Sequence, residues 1–435
     1  MSDANAPGLS PSLATVTILK GMIGAGILSI PLVFGKVGPS LAVPGYLVVS
    51  AICGFSVWRL ITCKALLSQQ DDPASEGEDE EVEERMELKD FGLGPLALVG
   101  GKVLGMPGLL LAGFGIIVSQ LGFCVAYLDV IITTLRSPSL LGDGVSPFYY
   151  RVVLALVLGA GSLVRTLGTL AKISALALSV YAYLLIALVH WGIVQMMNGQ
   201  APPAQDVWKK LDMTGLGSWL GTCIFAQEAI VVSQYVYDDM KLKHHTEFLP
   251  VLTSSFAICA VLSCFIGGFG YASYGDSLKA EFYLNFPADS LDLQIAEVVL
   301  CLVLLPSFLI QMYPVACFVD ELCSFLHPSL NGASDSESES FLNESHLISS
   351  LTPIFGRWFI VLLCSVLAAV LPDLDCVAGY SGSFAMSLIG FFLPPLCHMR
   401  LMSGKQSKFD WFMDIFLLLV GVAAVVLGIM NTSCS

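Results

Sequence analysis

The sequence predicts an all-α polytopic membrane protein with about eleven transmembrane helices. Hydrophobic residues make up 55% of its 435 residues and charged residues only 13%, with a mean hydropathy of +0.78. This is more apolar surface than a soluble fold of that size can bury. Apolar runs long enough to cross the hydrocarbon core, which takes roughly 20 residues, also recur between polar breaks along the whole chain.

The apolar runs define the predicted spans in chain order. Residues 1 to 13 have no basic start, and no small-residue cleavage site follows a short apolar stretch, so we expect a cytosolic tail and a retained first span. The transmembrane domain is predicted over residues 14 to 430. Its spans are expected at 14 to 35, 42 to 67, 106 to 135, 149 to 165, 170 to 194, 215 to 235, 248 to 273, 291 to 317, 355 to 371, 377 to 399 and 410 to 430.

The first span is interrupted near its centre. Residues 15 to 34 read TVTILKGMIGAGILSIPLVF, with Gly21, Gly24 and Gly26 along the span and Pro31 near its end. Each interior glycine costs a helix roughly 1 kcal/mol relative to alanine, and proline removes a backbone donor. Irregular backbone at membrane depth is tolerated where protein buries it or where it lines a cavity, and broken helices form the solute sites of many transporters. The segment is therefore a candidate solute site.

The candidate anion-binding segment of this span is Ile23, Gly24, Ala25, Gly26 and Ile27. Backbone amides at an unwound point bind an anionic group because the N-terminus of a half-helix carries a partial positive charge. Close helix packing on small residues is the alternative reading of the same glycines.

A second interruption lies in the sixth span. Three glycines between residues 215 and 221 lead into TCIFAQEAIVV, where Gln227 and Glu228 stand in apolar sequence. Spans one to five and spans six to ten can form two halves. Because each half has an odd number of spans, the second half then lies in the membrane in the opposite orientation, and span six corresponds to span one. The predicted architecture is a 5+5 inverted repeat plus one helix, with repeat one at 14 to 194, repeat two at 215 to 399 and the last helix at 410 to 430.

Three polar side chains inside the spans are candidates for coupling or gating. A charge near the bilayer centre costs at least about 2.5 kcal/mol, so it normally faces a cavity or a partner. For Lys20, near the start of its span, a functional role and snorkelling to the cytosolic interface are both open. Glu228 is central in its span and is a candidate to balance a substrate amine, carry a proton or brace the break. Ser307, beside Pro306, offers its hydroxyl either to a cation or to its own helix backbone.

The other reactive side chains are predicted to be structural or interfacial. The thirteen cysteines lie mostly in apolar spans with no CxxC pair, so we expect packing residues rather than disulfides or zinc ligands. No catalytic motif or metal-spaced cluster occurs, so we predict no catalytic residue, cofactor or resident metal. Dispersed Lys and Arg argue against a nucleic acid partner. Solvated or interfacial roles near span ends are expected for Asp129, Arg165, Lys172, His190, Glu297 and Asp414.

The distribution of basic residues predicts the orientation. With the N-terminus in the cytosol, fourteen of the 20 Lys and Arg fall on the cytosolic side and six on the other, which places the C-terminus outside or in a lumen. Two cytosolic loops then follow, an acidic one at 68 to 90 and a Ser- and acid-rich one at 328 to 350. Both are predicted to be disordered, because dense charge with little hydrophobicity does not repay the entropy of ordering.

Six segments carry a family resemblance. The chain resembles the amino acid/auxin permease family, nearest its proton-assisted and vacuolar amino-acid transporter branches, from the first span to the eleventh but outside both loops. The matching segments are KGMIGAGILSIP at 20 to 31, SQLGFCVAYL at 119 to 128, LVRTLGTLAKIS at 163 to 174, GTCIFAQEAI at 221 to 230, GYASYGDSLKAEFYLNFP at 270 to 287 and LPDLDCVAGYSGSFAMSLIGFFLPP at 371 to 395.

This resemblance implies a LeuT-like fold that moves amino acids by alternating access through the bilayer. The implied substrate site has the carboxylate at the backbone of Gly24, Ala25 and Gly26, with Phe225, Ala226 and Gln227 forming the facing break. An amino-acid sensor or receptor without net flux is the alternative class. The plasma membrane and a vacuolar or lysosomal membrane are both open.

The resemblance also bears on the coupling ion. It implies a cation site, sodium in the family, near Ser307. The proton-assisted branch has a histidine one turn before the matching lysine, where this chain has Thr17, and the sodium-coupled branch typically has an asparagine at the position of Lys20. We therefore expect proton coupling through another group, with sodium coupling as the alternative.

Overall fold

The computed structural model describes residues 9–70, 94–142, 144–162, 167–326, 339–371 and 374–431. Within these ranges the chain is helical, and the only β-type pairing is an isolated bridge between Leu9 and Met240. The prediction of an all-α polytopic membrane protein is confirmed.

Sixteen α-helices are numbered here in chain order. They are α1 Pro11–Met22, α2 Gly26–Val37, α3 Pro39–Gln70, α4 Gly94–Leu104, α5 Met106–Leu135, α6 Pro147–Gly161, α7 Leu167–Met197, α8 Ala204–Lys209, α9 Leu216–Ala226, α10 Ile230–Asp239, α11 Phe248–Tyr274, α12 Leu291–Leu326, α13 Glu339–Val370, α14 Leu374–Tyr380, α15 Leu393–Leu401 and α16 Lys408–Asn431. Short 3₁₀ helices lie at Leu242–Glu247, Gly275–Ser277 and Phe282–Asn285, and π-helical turns at Ser381–Met386 and Leu388–Phe392.

Local sequence explains several helix ends. The Ser10 hydroxyl accepts a hydrogen bond from the Leu13 amide at 3.4 Å, and Pro11 follows it at the first helical position, an arrangement favoured at N-termini. The same pair, Ser146 and Pro147, begins α6. Gly275 ends α11 with a φ of 59°, a backbone conformation that favours glycine.

The described helices agree with the predicted spans in position. Eight are long and apolar enough to cross a membrane, or nine if the bent pair α1 and α2 is one span. The remaining two predicted spans coincide with the shorter apolar segments Pro147–Gly161 and Ile354–Val370. The count of eleven spans stays a prediction, as do the repeat boundaries.

Two segments differ from the predicted loops. The helix α13 begins at Glu339, so residues 339 to 350 of the predicted Ser- and acid-rich loop are helical. An extra short helix, α4, precedes α5, and its eleven residues are too few to cross a bilayer alone. Of the acidic loop at 68 to 90, residues 68 to 70 belong to α3 and the rest lies outside the described residues.

Small residues allow close packing around the two broken spans. A Cβ on Gly267 or Gly270 of α11 would meet Phe34 or Pro31 of α2 within 3 Å. On the other side, the backbone of α9 at Gly221 touches the tenth span so closely that a Cβ on Gly382 would overlap it. Small residues let membrane helices approach each other closely. The half-helices α2 and α9 therefore pack directly against neighbouring helices, with a glycine at each contact.

Four expectations are wrong, three about acidic residues and one about a cysteine. Asp129, Glu297 and Asp414 are 8%, 0% and 0% exposed rather than solvated. Neighbouring helices cover these three side chains at the ends of their spans. The position of a residue along its own helix does not reveal such burial. Cys376, at the start of α14, is disulfide-bonded, whereas ten other described cysteines are not disulfide-bonded and are mostly buried, as expected of packing residues.

Candidate functional site

The first span breaks where the glycines predicted it. The helix α1 ends at Met22, Ile23 adopts an extended conformation, and α2 begins at Gly26 with a bend of 59° between the two helices. Regular backbone bonding resumes with the amides of Ile27 and Leu28. In the described part of the chain, the amides of Gly24, Ala25 and Gly26 have no backbone acceptor. Three donors are thus grouped at the N-terminus of a half-helix.

The sixth span also breaks, but two residues later than the resemblance implied: Phe225 and Ala226 are the last residues of α9, and of the predicted break only Gln227 lies between the half-helices. The helix α9 ends at Ala226, and α10 begins at Ile230 after the three residues 227 to 229. The carboxylate of Glu228 accepts a hydrogen bond from the Val231 amide at 3.2 Å, so it caps the first turn of α10. Of the three roles weighed for Glu228, bracing the break is the one visible in this geometry.

The two breaks contact each other. A Cβ on Gly26 would lie 2.8 Å from Cδ1 of Phe225 and 3.2 Å from Cα of Ala226. The Phe225 ring stacks on Phe123 of α5 with centroids 4.6 Å apart. Phe225 and Ala226 are only 1% and 3% exposed, so they form the wall behind the first break.

A cavity of about 120 Å³ lies beside the first break. Of the predicted site residues, Lys20, Ile23, Gly24 and Ser307 line it. The other residues that line it are Thr17, Gly21, Tyr127, Tyr181, Val232, Ile310 and Gln311. The cavity therefore combines an unwound backbone, one amine, several hydroxyls and an amide.

The remaining predicted site residues do not line this cavity. Ala25 and Ile27 are 0% and 4% exposed and, like Gly26, face the packed interior behind the break. The side chain of Gln227 is 1% exposed, and neither its Nε2 nor its Oε1 has a hydrogen-bond partner. It opens on a second, smaller cavity.

This second cavity, of about 30 Å³, is shared by the sixth-span break, α3 and the tenth span. Gln227 and Glu228 line it together with Ser56 and Gly390. This volume is about one water molecule's share of the liquid. The cavity therefore has room for a water molecule, which could carry a proton, but not for a solute. Glu228 thus lies apart from the larger cavity that Lys20 lines.

Two of the candidate coupling groups have defined surroundings. Lys20 is half-buried in the wall of the larger cavity. Among the described residues, its amine has no carboxylate or hydrogen-bond partner. The Ser307 hydroxyl donates to the Val303 carbonyl of its own helix at 2.8 Å. The hydrogen bond to its own helix backbone is therefore the interpretation observed for Ser307, which also lines the cavity.

An ion pair lies on the membrane side towards which α2 runs. Lys36, near the end of α2, donates to the carboxylate of Asp375 on α14. The Ser218 hydroxyl of α9 donates to the same carboxylate at 3.1 Å and accepts from Lys36 at 3.3 Å. The side chain of Asp375 is 4% exposed. The pair therefore ties both broken spans to the tenth span.

Sequence reasoning did not assign Tyr127, Tyr181 or Gln311 to the site. The three come from helices α5, α7 and α12, which are distant in sequence. The available signal was a polar or aromatic side chain inside an apolar span, as in SQLGFCVAYL, but helix rotation decides which of these face a cavity.

Two broken spans that meet beside a cavity, inside an all-helical membrane domain, define a polytopic membrane protein of the LeuT type. The family described as transmembrane amino acid transporter protein matches residues 8–434. The chain belongs to this transmembrane amino acid transporter family, so the resemblance read from the motifs is confirmed.

Characterised relatives share much of the chain at low identity. Vacuolar amino acid transporter 3 of Saccharomyces cerevisiae is 27% identical over 425 residues, which is 95% of this chain but only 55% of the yeast protein. Amino acid transporter ANT1 of Arabidopsis thaliana is 23% identical, covering 95% of this chain and 90% of the relative. Amino acid transporter AVT3A of the same plant is 24% identical, with 94% and 86% covered.

A solved structure shares the fold. The inward-facing conformation of Mhp1 superposes with a TM-score of 0.52, covering 98% of this chain and 93% of Mhp1 at 11% sequence identity. At that identity the likeness concerns the fold alone, and it supports the LeuT-like architecture.

Proposed function

We propose that the protein is a secondary active transporter that moves amino acids across a membrane by alternating access. The observation that carries this proposal is the grouping of unbonded amides at Gly24 to Gly26 beside the 120 Å³ cavity, against the second broken span. Amides at a half-helix N-terminus suit an anionic group such as a carboxylate. The names of the relatives, which are amino acid transporters, support this solute class.

The substrate is held between the first break and the facing wall of the cavity. Its carboxylate enters from the side of Gly24, which is half-buried, whereas Ala25 and Gly26 lie behind it and act through their amides and the dipole of α2. Its amine meets acceptor oxygens on Tyr127 and Gln311. Phe225, Ala226 and Gln227 support the site from behind.

Alternating access requires that one side open while the other is closed. The pair of Lys36 and Asp375 supports a closed state on one side, because it joins α2, α9 and α14. Lys20 and Thr17 of α1 lie in the other half of the first span, where they line the cavity. Separation of α2 from α9 and α14, which this ion pair joins, would open a route to the cavity past Lys36.

Proton coupling is the preferred mode, with sodium coupling as the alternative. Glu228 is an ionisable group in a separate water-sized cavity at the break of the sixth span, a suitable place for a proton that moves with the cycle. Lys20 provides a second ionisable group on the solute cavity. The alternative rests on Ser307, which lines the solute cavity and whose hydroxyl oxygen would be a sodium ligand.

We further propose a cytosolic N-terminus and an outside or luminal C-terminus. The bias of basic residues supports it. In this orientation Cys376 lies at the non-cytosolic end of the tenth span, and disulfides persist in oxidising compartments rather than in the cytosol. The names of the yeast and plant relatives leave a vacuolar-type membrane and the plasma membrane both open.

The test is uptake into proteoliposomes. Purified protein would be reconstituted and given labelled amino acids under an imposed pH gradient, an imposed sodium gradient, or neither, with protein-free liposomes as the control. Accumulation above equilibrium under the pH gradient alone is the expected result. Accumulation only with sodium would favour the alternative coupling ion.

Binding without accumulation under any gradient would instead support the sensor class. Equilibrium binding measured by scintillation proximity on the same preparation distinguishes this outcome from an inactive protein. Loss of both binding and accumulation in folded protein would contradict the amino-acid site itself.

A further inference from the structure

A large apolar groove lies on the lipid-facing side of α3 and α11, away from both cavities of the solute site. Its volume is about 470 Å³. Leu47 and Val261 at one end are 46% and 64% exposed, and Leu249 at the other end is 39% exposed. The floor is concave because Ala51, Gly54 and Ala257 have little or no side chain there. The groove is therefore a preformed slot rather than a flat lipid-facing surface.

The groove has the length of a single lipid chain in one leaflet. The two helices run antiparallel along it, from Leu47 to Trp58 on α3 and from Val261 to Leu249 on α11. At the rise of an α-helix these segments are about 16 to 18 Å long. Half of a hydrocarbon core is about 15 Å thick. One acyl chain thus matches the groove, whereas a solute that crosses the membrane does not.

The groove is also chemically suited to hydrocarbon. Its buried hydroxyl, on Ser50, donates to the Phe256 carbonyl at 3.4 Å. The Thr253 hydroxyl donates to the Leu249 carbonyl of its own helix at 2.9 Å, and the rest of the pocket surface is formed by aliphatic and aromatic side chains, among them Phe55 and Trp58. Among the residues that the structure describes, no charged side chain lines the groove. A polar ligand would gain little here.

Basic residues stand at the end of the groove marked by Trp58 and Leu249. The 3₁₀ helix Leu242–Glu247 leads directly into α11. Lys241 and Lys243 are exposed there and have no recorded ion pair among the described residues.

Most of the acidic residues at this end are already paired. The carboxylate of Asp238 accepts from Lys64 at 2.6 Å, and that of Glu247 pairs with His244 at 2.5 Å. Asp239 offsets one of the two free lysines. Because His244 is charged only when it is protonated, Glu247 offsets the other lysine at neutral pH, so the headgroup contact depends on the exposed Lys241 and Lys243 amines themselves. In the proposed orientation this end faces the cytosolic leaflet. Trp58 is the type of residue that sits at the headgroup level.

We propose that this groove is a binding site for an anionic glycerophospholipid, with one acyl chain between α3 and α11 and the phosphate at Lys241 and Lys243. Basic residues at the cytosolic ends of membrane helices attract anionic headgroups, each worth about fivefold in binding. The site is independent of solute recognition, since it shares no residue with either cavity of the solute site.

The experiment is native mass spectrometry of the full chain after exchange into an equal mixture of phosphatidylserine and phosphatidylcholine with identical acyl chains. The wild type is expected to retain one phosphatidylserine in preference. Ala51→Phe with Ala257→Phe fills the groove from two exposed positions and should abolish retention of this lipid. Lys241→Gln with Lys243→Gln should keep a lipid in the groove but lower the preference for phosphatidylserine by roughly 25-fold.

Two control variants test whether the effects are specific to the groove and to its two lysines. Ala160→Phe adds the same side chain at an exposed position of α6, and Lys405→Gln with Lys408→Gln removes two exposed lysines near the start of α16. Both controls should retain lipid like the wild type. Equal retention of the two lipids by the wild type, retention by the groove-filled variant, or a sterol displacing the phospholipid would overturn the proposal.

Amino-acid uptake by the same variants separates the two proposals. A groove-filled variant that folds, loses the lipid and still takes up amino acids supports a lipid site that is separate from transport. Wild-type protein that retains the lipid but shows no uptake contradicts only the proposed transport function.

Discussion

Lys36 of α2 and Asp375 of α14 form an ion pair that joins the second half of the first span to the start of the tenth. The two residues are 339 positions apart in the chain. Ser218 of α9 and the hydroxyl of Thr222, at 3.5 Å, complete the surroundings of the carboxylate. One buried carboxylate therefore links both broken spans to a third element.

Asp375→Asn should lower uptake at least tenfold, because it removes the charge that holds the Lys36 side of the transporter closed. The charge-swapped pair Lys36→Asp with Asp375→Lys should recover part of the rate, which a purely local loss of packing would not allow. Initial rates in proteoliposomes measure both. Lys209→Gln, at an exposed position of α8, is the control. Wild-type rates in Asp375→Asn would contradict the role of the pair.

Gly24→Val should abolish uptake while the protein still inserts and folds. A Cβ at this position would lie 3.3 Å from the Tyr127 hydroxyl, and the two further methyl groups would project into the cavity. Gly24→Ala should be milder, and adding Tyr127→Phe should relieve the crowding without restoring uptake, because the Tyr127 oxygen is the proposed acceptor for the substrate amine. Size-exclusion profiles report folding alongside uptake. Normal uptake by Gly24→Val would refute the proposed carboxylate site.

Gly26→Ala should destabilise the junction of the two breaks by about 1 to 3 kcal/mol, the usual range for overpacking. Its Cβ would sit 2.8 Å from the Phe225 ring. Phe225→Leu in the same protein should recover some of the loss, because it withdraws the contacting ring edge. Thermal unfolding in detergent is the measurement. Gly268→Ala, whose nearest neighbour would be Val43 at 3.8 Å, is expected to be neutral.

Glu228→Gln should uncouple uptake from the pH gradient. The glutamine keeps the shape of the side chain and an oxygen for the Val231 amide, but it cannot exchange a proton. We expect equilibrative uptake to persist while accumulation above equilibrium disappears. Glu247→Gln, on an exposed side chain, should remain pH-driven. Unchanged proton-driven accumulation in Glu228→Gln would assign the proton to another group.

Asp414→Asn should destabilise the fold by about 1.5 to 3 kcal/mol, the contribution of hydrogen bonds to a charged group, since Arg59 keeps its pair with Asp410. Asp414 is fully buried, lies 3.1 Å from Nε of Arg59 and pairs with Nδ1 of His398 at 2.7 Å. Asp410 pairs with the same arginine at 2.9 Å but is 34% exposed, so Asp410→Asn should cost much less. The measurement is the thermal unfolding midpoint of each variant, and that of Asp414→Asn should be lower than that of Asp410→Asn. Equal losses would contradict the argument from burial.

Much of the fold was predictable because the membrane imposes it. Apolar runs of about 20 residues can only be helices in lipid, since every backbone group needs an internal partner. The break at Gly24 to Gly26 was predictable for the same reason, because glycine and proline weaken the local hydrogen-bond ladder. The break at 227 to 229 followed from polar residues in an apolar span.

The assignment of side chains to the solute cavity was less predictable. Ile23 and Gly24 face it, whereas Ala25, Gly26 and Ile27 are packed behind it. Gln227 belongs to a different cavity altogether. Neighbouring positions on a short unwound segment point in different directions, and composition does not encode that direction.

The sequence by itself determined that this chain is a helical membrane protein with two interrupted spans, and its motifs identified the family. Only the tertiary structure decided that the two interruptions touch, that Lys36 meets Asp375, and that Asp414 is buried beside Arg59. The physical reason is that hydropathy and helix propensity act over one or two turns. Helix rotation and partner choice depend on packing between segments hundreds of residues apart.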